Sequence, residues 1–379
     1  MTAPIVALDT RLLRVPLTRP WGEDVRDLGV IAVTVRDADG ALGHGFSWTP
    51  TIGAEAVQAL LDHDIRDFAL GRPADAEPLW DDVWLRLHEA GGGGITTIAT
   101  AGLDLALWDL AARRAGQPIA DLLGRRRFET EAYGSGVNLH YSLEELVAQT
   151  ERWVAAGFGA VKVKVGSPDL ARDAERLAAV RSILGPDRRL MIDANQRWDV
   201  PTAIRALDAL AAFDLAWIEE PLRADDLPGH VALRAALSSG PRVPIALGEN
   251  LHTAYRFREF LDAGVVDVIQ PNAVRVGGIT PFRRIAALAA ERRVQVAPHL
   301  LTELSGRLAM TLPQECLVEV VEDASFGELG ALAAPAPVEV VGHRLRDTAT
   351  IGLGLRFAGG PDDEDAASAG VAPLAAARP

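Results

Sequence analysis

The alternation of apolar and polar positions divides this chain into two textures. Up to about residue 125 it reads as strands followed by helices. Ile31-Ala32-Val33-Thr34-Val35 is a β-rich run, Asp39-Gly40 signals a hairpin, and Gly43-His44-Gly45-Phe46 resumes as a second strand. Helical periodicity follows over about 54–70 and 98–115, where Leu103, Leu107 and Leu110 recur at helical spacing, and it stops at Gly116-Gln117-Pro118. From about Glu129 short apolar runs alternate with helical stretches, the pattern of a parallel sheet wrapped by helices. Strands are expected at 132–135, 160–165, 190–194, 216–219, 244–247, 266–270, 294–298 and 316–319, with helices between them at 143–156, 170–184, 202–212 and 281–292. Eight strands in this order predict an α/β fold of the (β/α)8 TIM-barrel type preceded by an α+β unit. A doubly wound open sheet is the alternative, but its dinucleotide-binding form carries an early Gly-rich turn that is missing here. The Gly91–Gly94 run follows a polar helix end rather than a strand, and reads as a flexible connector.

Composition narrows the partners. The chain has 379 residues, 49% of them apolar and 24% charged, as in an ordinary globular protein with one large and one smaller domain. A net charge of −14 argues against sequence-independent binding to nucleic acid, and Arg125-Arg126-Arg127 is too short to reverse that and reads as a solvated helix end. No apolar run approaches the roughly 20 residues of a membrane span. Met1 to Asp9 lacks the pattern of a secretory signal, so a cytoplasmic location is expected. The single cysteine, Cys316, excludes an intramolecular disulfide and reads as a small buried apolar residue.

In a barrel of this kind the chemistry belongs at the C-terminal ends of the strands. Asp193 closes one strand, Glu219 closes the next, and Glu249 follows the third, so three consecutive strands each deliver a carboxylate to one rim. Such hard oxygen donors, with room for water and a chelating substrate, suit Mg2+ (or Mn2+) better than Zn2+. In Val161-Lys162-Val163-Lys164-Val165 strand alternation puts both lysines on the inner face. Like charge and partial desolvation are expected to depress the Lys164 pKa and make it a base. His299 ends the seventh strand at the same rim, and Glu319 ends the eighth, where a carboxyl held protonated among other acids could donate a hydrogen bond.

Taken together, Lys162/Lys164, Asp193-Ala194-Asn195-Gln196, Trp217-Ile218-Glu219-Glu220-Pro221, Gly248-Glu249-Asn250, Val276-Gly277-Gly278 and His299-Leu300, with Glu319 beyond, resemble the enolase superfamily, in spacing closest to its mandelate racemase subgroup. Ala106-Leu107-Trp108-Asp109-Leu110 and Leu122-Leu123-Gly124 extend the resemblance into the first domain. It implies a capping domain over 1–125, a barrel over 126–325, a segment over 326–358 returning to the cap, and a tail at 359–379 that composition marks as disordered. It also implies chelation of a substrate carboxylate by the metal, removal of the α-proton and stabilisation of the resulting enediolate. Lys164 would be the base on one face, Lys162 would lower its pKa, His299 would act from the other face, and Glu319 would hydrogen-bond the enediolate. Two loops, about Arg19–Leu28 and Trp48–Gly53, would select the substrate, with Trp21, Glu23, Arg26, Trp48 and Asn195 as binding candidates. An assembly of even subunit number, from dimer to octamer, is implied as well.

One departure matters: where the subgroup has an aspartate partner for the histidine, this chain has Asn272. An amide can orient His299 but does not stabilise an imidazolium as a carboxylate does. β-Elimination of water from a sugar acid is therefore the leading expectation. Racemisation, epimerisation or cycloisomerisation of an acid or lactone comes second, and an inactive carboxylate-binding barrel third.

Overall fold

The computed structural model describes residues 2–22, 25–237 and 243–363. It opens with an antiparallel sheet of β1 (Ile5–Trp21), β2 (Val25–Asp37) and β3 (Leu42–Thr49). The first strand went unread in the sequence because its apolar positions follow no clean alternation. The 20-residue helix Ile95–Arg114 packs on β3 so closely that a Cβ at Gly43 or Gly45 would lie 2.0 or 2.3 Å from a helix carbonyl oxygen, which explains both glycines. By length and hydropathy this helix could cross a membrane, yet 78% of its apolar window is buried inside the fold, as a core helix should be. The expected helix over 54–70 is interrupted by a π-turn at Leu61–Ile65, and a further helix, Ala76–Arg86, follows it.

Eight parallel strands then appear where alternation placed them: β4 (Glu129–Ser135), β5 (Ala160–Lys164), β6 (Arg189–Asp193), β7 (Leu215–Glu219), β8 (Ile245–Leu247), β9 (Val268–Ile269), β10 (Gln295–Val296) and β11 (Val318–Val321). Neighbours pair in sequence order from β4 to β10, and β11 pairs with β4. Among the described residues no ladder joins β10 to β11, so the barrel has one open seam. Outward residues such as Val161, Val163, Ile192 and Ile218 join the core under the helices. Inward ones, including Tyr133, Ala160, Met191, Trp217 and Ala246, form an apolar layer at the N-terminal end.

The C-terminal segment returns to the cap and also adds strands beside the barrel. β12 (Val338–Val341) and β13 (Arg344–Asp347) form a hairpin whose second strand pairs with the start of β4, held by Arg344 and Arg346 on Glu129. The segment meets the cap on both sides of this hairpin: Phe326 and Phe357 pack against Phe46 of β3 with ring centres 5.4 and 5.2 Å away, Leu353 N donates to Asp109 Oδ1 at 2.6 Å, and Thr34 Oγ1 donates to Asp362 Oδ2 at 2.8 Å. Of the tail expected to be disordered, residues 359–363 are packed here, and 364–379 lie outside the described residues.

One of the joints between cap and barrel is a helix start. The barrel helix Ile279–Arg292 begins after Gly278, which has no side chain to cap it. Asp104 of the cap helix does so instead, accepting from Thr280 N at 3.0 Å and Thr280 Oγ1 at 2.6 Å. A Cβ on Gly278 would lie 2.2 Å from that carboxylate. The glycine run is also a packing device rather than a slack connector: Gly92 leaves room for Trp84, and Thr96 Oγ1 donates back to Gly91 O at 2.6 Å.

Candidate active site

The strand register brings the expected carboxylates together. Asp193 and Glu219 are paired residues at the ends of β6 and β7, and Glu249 stands two positions past β8. All three are buried, and one ligand atom from each lies within 4.8 Å of the others. Gln270 Nε2, just past β9, steadies Glu219 at 2.6 Å, and Asn195 N donates to Asp193 Oδ1 at 2.8 Å. Burial, reinforced by Asp193, pushes the Glu219 carboxyl up to about 8. Such crowding of hard anionic oxygens is what a divalent cation relieves, so the donor set fits Mg2+.

Both lysines point into the barrel. Lys162 Nζ donates to Glu219 Oε1 at 2.6 Å and lies 2.8 Å from Glu319 Oε1, while Lys164 Nζ is bonded to Asp193 Oδ2. The expected depression of Lys164 is not found with these neighbours. Burial works to lower its pKa, but Asp193, with Glu249 and Glu219, outweighs both burial and Lys162 and holds the ammonium above its usual range. The Glu319 carboxyl is not raised either. Burial favours the neutral acid, but Lys162, then His299 and Lys164, bring its carboxyl down to about 2.

His299 is held from both sides. Asn272 Oδ1 accepts from Val274 N at 3.0 Å and Arg275 N at 3.1 Å, which fixes the amide so that Nδ2 faces His299 Nδ1 at 3.1 Å. Nδ1 must therefore accept, and the proton of the neutral ring resides on Nε2. That nitrogen sits 2.9 Å from Glu249 Oε2 and 3.9 Å from Glu319 Oε2, both acceptors.

The specificity candidates divide. Trp48 is buried on the barrel side of β3, its Nε1 without a hydrogen-bond partner among the described residues, with the Arg275 guanidinium 5.9 Å from its ring centre. Asn195 bonds Asp193 through its backbone N, with its side-chain Nδ2 3.4 Å from Asp193 Oδ2, Trp21 ends β1 half-buried, Arg26 is exposed, and Glu23 lies outside the described residues. Sequence reading missed Arg19, whose guanidinium stacks 3.5 Å from the Tyr141 ring and bonds Glu145 at 2.8 Å, fastening the β1–β2 hairpin to the barrel. It also missed Gln270 and Arg275. Arg275 Nη1 donates to Glu249 O at 3.0 Å and to Asn250 Oδ1 at 2.5 Å, a link that no short motif announces.

A cap over a barrel whose rim carries three clustered acids and two inward lysines defines a class of enolising barrels. Consistently, residues 145–362 match the enolase C-terminal domain-like family, and 7–124 match the N-terminal domain of mandelate racemase and muconate lactonizing enzyme. The chain belongs to the mandelate racemase/muconate lactonizing enzyme family. It is 39% identical over 334 residues to the 3,6-anhydro-α-L-galactonate cycloisomerase of Streptomyces coelicolor, covering 87% of this chain and 91% of that protein. To the L-talarate/galactarate dehydratase of Salmonella typhimurium it is 40% identical over 299 residues, 78% of this chain and 74% of the relative. The solved structure of L-talarate dehydratase from a Polaromonas species, complexed with Mg and L-glucarate, superposes with a TM-score of 0.83 at 35% identity, covering 94% of this chain and 96% of that one.

Proposed function

We propose that this protein is a Mg2+-dependent enzyme that enolises a sugar acid and then eliminates its β-oxygen as water, an acid-sugar dehydratase. Bound among Asp193, Glu219 and Glu249, Mg2+ supplies positive charge to the substrate carboxylate and offsets the anions that hold the proton on Lys164. Lys164 Nζ, as the neutral amine, takes the α-proton, and Lys162 keeps Glu219 and Glu319 compensated. His299 acts from the other end of the trio. Its Nε2–H gives a proton to the β-hydroxyl as the C–O bond breaks, leaving an enol that tautomerises to a 2-keto-3-deoxy acid.

The observation that carries this reading is the Asn272 amide, locked with its NH2 toward Nδ1, which suits His299 to donating rather than abstracting a proton. A cycloisomerase in which a ring oxygen leaves in place of hydroxide uses the same donor, and the Streptomyces relative supports it as the second reading. By resemblance the enzyme is a cytoplasmic homo-oligomer.

The test pairs product analysis with isotope exchange. Mg2+-loaded enzyme incubated in D2O with galactarate, talarate, glucarate and 3,6-anhydrogalactonate should give a semicarbazone-forming 2-keto-3-deoxy acid, or the ring-opened equivalent. The Asn272→Asp variant should gain α-proton exchange from the His299 face. Equal exchange of both α-epimers by the unaltered enzyme, without elimination, would show a racemase instead.

A further inference from the structure

The open seam leaves a depression in the molecule. A cavity of about 530 Å3 lies at the N-terminal end of the barrel between β10 and the segment leading into β11, at the opposite end of the strands from the metal-binding acids. This is within the range of small-molecule sites, about 300–1,000 Å3. Its surface is about equally polar and apolar, with Ala286 and Ala290 on one side, Val294 and Leu312 on others, and Trp217 reaching it from the barrel core. Four charged residues line it. Arg189 is paired with Glu131, and Glu315 accepts Arg344 at 2.8 Å. Arg293 is left, exposed and with no ion-pair partner among the described residues, so one positive charge stands uncompensated at the edge of the cavity.

The chamber is also one side chain away from the rim. Trp217 Nε1 lies 3.4 Å from Glu219 Oε2, so an occupant pressing on the indole bears on an acid of the trio. We propose that the seam cavity binds a small carboxylate with an apolar body, its charge on Arg293, and that occupancy alters metal affinity through Trp217 and Glu219. The binding site stands apart from the proposed reaction. Only the second half rests on reading Glu219 as a metal ligand.

The probe is 1-naphthoate, titrated calorimetrically into the Mg2+-loaded full chain, with 1-naphthalenemethanol as the uncharged control. One site is expected. Arg293→Gln should weaken it about tenfold, the loss of one charge-assisted contact. Ala290→Trp, which fills the chamber, should abolish it, and both variants should keep the melting temperature and turnover of the parent. Mg2+ affinity measured with and without saturating naphthoate should differ by about threefold or more, the scale of ordinary coupling between sites. Absence of binding up to ~5 mM, binding that survives both substitutions, or equal binding of the alcohol overturns the site. Binding with unchanged Mg2+ affinity overturns the coupling and leaves the proposed reaction untouched.

Discussion

The same strands build two very different layers inside the barrel. At the N-terminal end Tyr133, Ala160, Met191, Trp217 and Ala246 pack as an ordinary apolar core. Two residues further along, the interior holds Lys162, Asp193 and Glu219, all 0–1% exposed, with Lys164, Glu249 and Glu319 close by. The upper layer is costly. Its charges survive burial because most have an opposite partner within hydrogen-bond reach, while Glu249 takes a hydrogen bond from His299 and has Arg275 3.8 Å away. Its backbone is also forced, since Asn195 (φ 43), Glu220 (φ 39), Leu300 (φ 51) and Leu301 (φ 50) are non-glycine residues in left-handed conformation just past the strand ends. The lower layer supplies cohesion that lets the upper one be spent on chemistry.

That division can be broken deliberately. The largest effect should come from Lys164→Ala, which removes the proposed base and should slow substrate α-proton exchange by about 10³-fold or more, measured by NMR in D2O on a variant that still melts cooperatively. A change confined to the lower layer should do the reverse. Met191→Ala leaves a cavity and should cost about 3 kcal/mol in denaturant unfolding, with turnover of the remaining folded enzyme altered only a few-fold.

The smallest effect concerns a buried acid away from both layers. Burial pushes Asp104 up to about 7 despite its hydrogen bonds from Thr280. Its folded pKa lies above the unfolded value, so its contribution to stability is full below pH ~4 and is lost as pH rises through about 7. The melting temperature should therefore fall across that window in a metal-chelated sample, and Asp104→Asn should flatten the profile. An unchanged profile in the variant would show that Asp104 is ionised throughout.

Much of this architecture was legible because strands impose a period of two and put function at one end. Alternation alone oriented Lys162 and Lys164 inward, and strand ends marked Asp193, Glu219 and Glu249. What was not legible depends on distance across the fold. Nothing near Arg275 in sequence tells that it will reach the carbonyl of Glu249, and nothing near Asn272 tells which way its amide will turn. Lys164 shows the same limit in electrostatics. Its lysine neighbour is visible in the sequence and lowers the pKa, but the carboxylates that reverse the sign arrive from other strands. The β13–β4 pairing was unreadable for a similar reason, since about two hundred residues separate the partners, and the groups that hold it, Leu345 buried against Val318 and the Arg344 and Arg346 ion pairs to Glu129, meet only in the fold.

The cap helix that finishes a barrel helix has a consequence for how such proteins can be recombined. Because Asp104 stands in for the side chain that Gly278 lacks, the two positions form a lock whose halves lie in different domains. Grafting a relative's cap onto this barrel to change substrate choice would transfer the selecting loops but keep Gly278. A donor cap without an acid at the matching helical position would leave the helix start without its side-chain cap, and the seating would rest on the remaining contacts, such as Trp80 Nε1 on Gly277 O and Arg284 on Asp81. Chimeras should therefore be chosen first for this pair, and only then for the loops.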